Sequence, residues 1–234
     1  MTIEFIGKSV LITVDGERVL VVSDLHLGYG ESLRESGVFV PERINGEIMR
    51  DFGEIFKRVG KIDKIIILGD VKHEIGLILE DERREMGVLF ELFDKFCDKI
   101  IVVRGNHDAL LGIILRKDIE LVDYYIWGEF AFLHGNKDYV QIHDKKVKTW
   151  LIGHIHPAVN LQDGVKEEKY KCFLDGRFRG KRVIVLPSFF SGVEGTDVRE
   201  GGQETAWKFN FDKFNVRVIG ENLEVLDFGL LKNL

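Results

Sequence analysis

The chain has 234 residues, 45% of them hydrophobic and 31% charged, which is enough apolar material to enclose a large core and leaves no polar tract for extended disorder. Its formal net charge of -6 excludes a strongly basic surface that tracks phosphates, so no general nucleic-acid-binding face is expected. Two cysteines, Cys97 and Cys172, make no disulfide framework, and no signal-like or membrane-length apolar run is present, so the expectation is one cytoplasmic domain over 1–234.

Periodicity predicts strands over 3–6, 10–14 and 18–22, with Asp15-Gly16 turning the second into the third. Ile44, Ile48, Met49, Phe52, Ile55, Phe56 and Val59 recur at helical spacing and predict an amphipathic helix over 42–59. The β-branched run at 64–68 reads as a strand buried on both faces, stopping at Gly69-Asp70. A second helix is expected over 81–98, burying Met86, Leu89, Phe90, Phe93 and Phe96, with Cys97 inside its apolar pattern. Strands follow at 100–103, 129–133, 149–152 and 182–186, with a short helix over 109–116 after the first of them. The segments 207–214, 215–219 and 222–228 read as strand-rich.

Asp24, His26, Asp70, Asn106, His107, His134, His154 and His156 all lie just past the end of an apolar strand. In an α/β layer the loops beyond strand ends converge on one edge, so these side chains are expected to meet in one crevice. Carboxylates, imidazoles and an amide oxygen without thiolates suit hard or borderline divalent ions such as Mn²⁺, Fe²⁺ or Zn²⁺. Two such ions sit roughly 3.5–4 Å apart when a carboxylate bridges them, and Asp70, central in the set, is the natural bridge.

Asp24-Leu25-His26, Gly69-Asp70, Gly105-Asn106-His107-Asp108, His134 and Gly153-His154-Ile155-His156, in this order, resemble the calcineurin-like metallophosphoesterases across about half of the chain. The resemblance implies an α/β fold, the four-layer αββα sandwich of that family, with mixed sheets flanked by helices. It implies one metal held by Asp24, His26, Asp70 and His156 and a second by Asp70, Asn106, His134 and His154, with Mn²⁺ favoured over Fe²⁺, Zn²⁺ or Ni²⁺. It makes His107 the acid at the leaving oxygen, oriented and kept charged by Asp108, after in-line attack on phosphorus by metal-activated hydroxide.

Within the family, Asp24-Leu25-His26-Leu27-Gly28 and Gly69-Asp70-Val71-Lys72-His73 are most similar to the small bacterial and archaeal phosphoesterases related to the DNA-ligase-associated enzyme. That similarity implies a phosphodiester before a monoester, in a small or nucleotide-like substrate that includes cyclic nucleotides. Phosphoprotein phosphatases carry Glu in place of Asp108 and an Asp-Arg pair in place of Lys72-His73, so a phosphoprotein substrate is disfavoured. Two alternatives stand beside this reading: a DNA nuclease of the repair type, which shares the Gly-Asn-His-Asp block, and a scaffold of the same fold without catalysis. A scaffold of that kind has lost metal ligands, whereas here every ligand position is filled.

Three residues are candidate substrate contacts. His73 could touch substrate or a metal-bound water, Tyr29 could stack on a base and Arg34 could pair with phosphate, although surface loops explain all three as well. The stretch 188–196 reads either as a wall of the site or as a plain loop. His143, among Asp144, Lys145 and Lys146, is expected in solvent, and homo-oligomer formation stays open.

Overall fold

The computed structural model describes residues 1–38, 44–201 and 205–234. Its first sheet opens with β1 (Thr2–Ile6), β2 (Ser9–Val14) and β3 (Glu17–Val22), an antiparallel meander. Asp15 and Gly16 both take positive φ, 50° and 89°, as the tight turn between β2 and β3 requires, which is why an Asp-Gly pair stands there. Helices α1 (Tyr29–Glu35) and α2 (Ile44–Val59) follow, then β4 (Ile62–Ile67), α3 (Glu80–Phe93), β5 (Cys97–Val103), α4 (Leu111–Ile114) and β6 (Glu120–Val122). The sheet order is β1-β2-β3-β4-β5-β6, and β3 to β6 run parallel. The first two residues of the helix expected over 42–59 lie outside the described residues.

The isoleucine run of β4 is buried on both faces because each face meets a different layer. Ile65 and Ile67 join Phe52, Phe56, Met86 and Phe90 of α2 and α3, while Ile66 and Leu68 join residues of the second sheet.

That second sheet contains β7 (Tyr125–Trp127), β8 (Phe130–Leu133), β9 (Thr149–Ile152), β10 (Pro157–Asp163), β11 (Lys166–Phe178), β12 (Lys181–Val185), β13 (Thr196–Asp197), β14 (Asn215–Ile219) and β15 (Val225–Leu230). Its order is β13-β10-β11-β12-β9-β8-β7, with β14 pairing β11 and β15 pairing β14. The core between the sheets is Val10, Val19, Val21, Ile66, Leu68 and Val103 from one side and Phe130, Phe132, Leu151, Phe173 and Ile184 from the other. On its outer face Trp150, Trp207, Phe214 and Leu231 pack together. Among the described residues that face is covered by 3-10 turns and an aromatic loop, so the α-helical layer lies against the first sheet.

Several boundaries depart from the sequence expectations. The helix expected over 81–98 ends at Phe93, and Cys97 opens β5, because Cys97 is in register with Ile62 of β4 and the Phe96 carbonyl accepts the Ile62 amide at 2.9 Å. Phe96 remains partly buried, stacked on Phe56 with centroids 4.5 Å apart, so the spacing identified its burial but not its element. Segment 207–214 is not a strand: Trp207, Phe209, Phe211 and Phe214 contact one another as cover for the second sheet, with a 3-10 turn at Phe211–Lys213. β15 begins later than expected because Asn222 and Leu223 turn the chain with φ of 53° and 64°. The hairpin β10–β11 was not foreseen, since the charged sequence of 166–169 gives it no apolar alternation.

Candidate metal centre

Every residue of the sequence-predicted constellation stands at the C-terminal end of a parallel strand. Asp24 and His26 follow β3, Asp70 follows β4, and Asn106, His107 and Asp108 follow β5; His134 follows β8, and His154 and His156 follow β9. The first sheet thus presents one half of the cluster and the second sheet the other, as parallel strands ending on a common edge dictate. Asp24, His26, Asp70, His154 and His156 all adopt left-handed backbone, with φ between 46° and 68°. That conformation costs of order 1–3 kcal/mol for a residue with a side chain and persists only where surrounding contacts hold it. Here Asp24 donates its amide to the Gly69 carbonyl at 3.1 Å and His26 to the Asp70 carbonyl at 2.9 Å, tying the two loops together.

Close approach also needs missing side chains. A Cβ on Gly105 would strike the Asp70 carboxylate and amide, and one on Gly153 would strike Ser23 Oγ and Asp24. The amide of His154 then reaches Asp24 Oδ2 at 3.0 Å, and the Ser23 hydroxyl donates to the same oxygen.

Two acid–imidazole groups result, Asp24 with His26 and His156, and Asp70 with His134 and His154. In the first, His156 Nε2 lies 3.1 Å from Asp24 Oδ1 and 3.4 Å from His26 Nε2. In the second, His134 Nδ1 donates to the Leu68 carbonyl at 2.8 Å, which leaves Nε2 facing Asn106 Oδ1 at 2.8 Å and Asp70 Oδ2 at 3.4 Å. The carboxylate and amide oxygens that converge here call for a positive partner, either a proton on His134 Nε2 or a metal ion that takes the proton's place on the imidazole lone pairs. The donor set therefore fits divalent metal.

The electrostatics agree. Burial opposes ionisation of Asp24, but His156, His134 and His26 outweigh it and hold the carboxyl well below the usual range. Burial of Asp70 is likewise overcome, chiefly by His134, and its carboxyl is also lowered. Burial would lower His134, yet Asp70 and Asp24 raise it to about 9; burial presses His26 down to about 3 and also lowers His154. The pocket draws positive charge toward His134 while disfavouring it on His26 and His154.

His107 lies beside the second group. Its Nδ1 meets the His73 carbonyl, its Nε2 is 3.9 Å from Asp70 Oδ2, and its amide donates to Asp70 Oδ1 at 2.9 Å. Asp108 corrects the sequence expectation. It is fully buried, and its carboxylate accepts the amides of Val71 at 3.0 Å, Lys72 at 3.4 Å and Gly105 at 2.9 Å; no hydrogen bond joins it to the His107 ring among the described residues. Burial, with the charge on Asp70, pushes Asp108 up to about 6 against the pull of those amides. A carboxylate so placed braces two loops instead of orienting an imidazole.

His73 is brought to the cluster, its ring centroid 5.4 Å from that of His26 and 5.7 Å from that of His107. Nδ1 of His73 and Nδ1 of His26 are buried without a hydrogen-bond partner among the described residues. Tyr29 packs edge-on against His73 at 4.7 Å and tilted against Phe190 at 4.9 Å. Arg34 is instead paired with Asp81 on α3. His143 is not simply solvated: it bonds Asp138 at 2.7 Å and sets its ring against Trp150 at 5.2 Å.

Sequence reasoning left 188–196 as either a wall or a plain loop and missed Lys171. Ser188 Oγ donates to the Asp24 carbonyl at 3.0 Å, Phe190 donates its amide to the same carbonyl at 3.2 Å, and the Phe190 ring lies 6.4 Å from His26, so the loop after β12 does wall the cluster. Lys171 Nζ holds that loop by its Ser188 and Phe190 carbonyls. A lysine on a strand gives no advance sign of this.

The family model described as calcineurin-like phosphoesterase matches residues 17–219, and the chain belongs to that family of phosphoester hydrolases that use divalent metals. Among solved structures the chain is similar to nuclease MPE of Pseudomonas putida, at 19% identity over 94% of this chain and 100% of that chain, with a TM-score of 0.60. It is also similar to Yfce, a phosphoesterase from E. coli, at 15% identity over 91% and 98% of the two chains, with a TM-score of 0.43. Wild-type Vps29 complexed with zinc from Entamoeba histolytica matches at 13% identity over 90% and 99%, with a TM-score of 0.35. No curated protein matches the sequence. At these identities the likeness to the nuclease establishes a shared fold.

Proposed function

We propose that the chain is a two-metal phosphodiesterase acting on small or nucleotide-like substrates, cyclic nucleotides included. One observation carries the reading: the two acid–imidazole groups are contiguous, with His134 3.4 Å from Asp70 and 3.9 Å from Asp24. Asp24, His26, Asp70 and His156 would hold one ion, and Asp70, Asn106, His134 and His154 would hold the other, with Asp70 shared and Mn²⁺ favoured. Bound divalent ions supply charge neutralisation for phosphoryl oxygens and activation of the attacking water.

The chain's own residues do the rest. His107 turns Nε2 toward the cluster and delivers a proton to the leaving oxygen. His73, Tyr29 and Phe190 line one side, an aromatic edge suited to a nucleoside or other flat substituent. Arg34, held by Asp81, is not a phosphate contact in this reading. Both cysteines are buried free thiols, in keeping with a reducing cytoplasm. The net charge of -6 favours a small substrate over general nucleic-acid binding.

The test is hydrolysis of bis-p-nitrophenyl phosphate, p-nitrophenyl phosphate and linear DNA by chelator-stripped protein, with and without added Mn²⁺. Diester cleavage restored by Mn²⁺ is the expected result. Cleavage of DNA alone would move the assignment to a nuclease, and metal uptake without cleavage of any substrate would overturn the enzymatic reading.

A further inference from the structure

Four consecutive backbone amides in the loop after β4 are gripped by two buried carboxylates. Asp108 takes those of Val71 and Lys72. Glu82, the third residue of α3, takes Glu74 at 2.8 Å and, at 3.1 Å, the His73 amide that is shared with the Leu27 carbonyl at 2.9 Å, on one oxygen, and the Leu79 amide at 3.0 Å on the other. Capping α3 accounts for the Leu79 contact alone. It does not account for the second oxygen, for the complete burial of Glu82, or for Lys72, equally buried, with its Nζ 3.5 Å away.

The middle of this loop presents the His73 carbonyl to Nδ1 of His107. A carbonyl oxygen only accepts, so Nδ1 carries a proton and Nε2 is the nitrogen turned to Asp70 and the cluster. We infer that Glu82 is a positioning residue which, through the His73 carbonyl, fixes the tautomer and orientation of the His107 ring. The task that the sequence gives to Asp108 is thereby divided: Asp108 anchors the start of the loop, and Glu82 sets the carbonyl that holds the imidazole. The kinetic consequence rests on the reading of His107 as leaving-group acid; the positioning does not.

Glu82→Gln alone would strand Lys72 as a buried unpaired cation, so the informative variant joins it to Lys72→Met and removes the pair together. In Zn²⁺-loaded protein, the downfield imidazole N–H proton resonance that disappears in His107→Ala should also disappear, through exchange, in Glu82→Gln/Lys72→Met. Bound metal per chain and KM should stay at their native values. The kcat for a diester with a phenol leaving group should fall roughly 10- to 100-fold while that for p-nitrophenol falls little. In a His107→Ala background the pair should add nothing further. An unchanged His107 resonance in the double variant, or an equal loss of kcat on both leaving groups, would overturn the inference. If His107→Ala itself treats the two leaving groups alike, the acid reading of His107 fails and the resonance alone decides the place of Glu82.

Discussion

The Asp70 carboxylate receives the His107 amide on one oxygen and faces His134 Nε2 on the other, in a residue whose own backbone is left-handed and whose amide lies against Gly105. Asp70→Asn keeps the shape and removes the charge; it is expected to release at least one ion per chain and abolish hydrolysis, as metal analysis beside a diester assay would show. Retained turnover would count against a shared ligand. A second residue sets a pH dependence. Burial, aided by Lys8, lowers Lys171 from 10.5 to about 7. Below pH 7 its ammonium is protonated in both folded and unfolded chains and its burial is fully unfavourable. Between about 7 and 10.5 the unfolded chain binds a proton that the folded chain lacks, so this group makes stability rise with pH. The change in urea midpoint from pH 6 to pH 9 should therefore be less positive in Lys171→Met than in the native protein, His134 contributing with the opposite sign to both, and an identical change would refute the assignment. The candidate ligands were legible as hard donors at strand ends, whereas the partner of Asp108 was not, because it is fixed by a loop 36–37 residues away in sequence.

Among the elements, α2 links core to site. Phe52 is fully buried, stacked on Phe189 with centroids 4.1 Å apart and edge-on to Phe93 at 4.8 Å. Phe189 in turn donates its amide to the Ser23 carbonyl at 2.8 Å, directly before Asp24. Phe52→Ala should destabilise the protein by about 3–5 kcal/mol and loosen the wall beside Asp24. Denaturant unfolding together with metal affinity checks both parts, and a loss of stability with unaltered metal affinity would show that the helix supports the core alone. The helical spacing of α2 and the isoleucine run of β4 were readable because each pattern reports burial directly. The end of α3 was not, because apolar spacing continues through Phe96 while strand register with β4 claims Cys97. Aromatic residues between 207 and 214 carry the composition of a strand, but their backbone has no neighbouring strand to pair with among the described residues.

At the scale of the molecule, the centre joins two sheets, with Asp24, His26, Asp70 and Asn106 from one and His134, His154 and His156 from the other. Each ion bound across that seam should stabilise the folded chain by about 2.7 kcal/mol at a free concentration a hundred times its dissociation constant, roughly 5–11 °C in Tm. Thermal unfolding with chelator and with Mn²⁺ tests this, and an unmoved Tm would argue against ligation from both sheets. Among the described residues no helix is long and apolar enough to cross a membrane, in line with the composition. What the sequence determined by itself was the set of candidate ligands, because strand ends and hard donor types are local properties of the chain, and the family, through the resemblance of its ordered motifs. What only the tertiary structure decided was the hydrogen-bond partner of each donor. Asp108 turned to loop amides, Arg34 to Asp81, and Glu82 to the loop that carries His73, since such partners are chosen by the packing of distant segments and leave no periodicity to read.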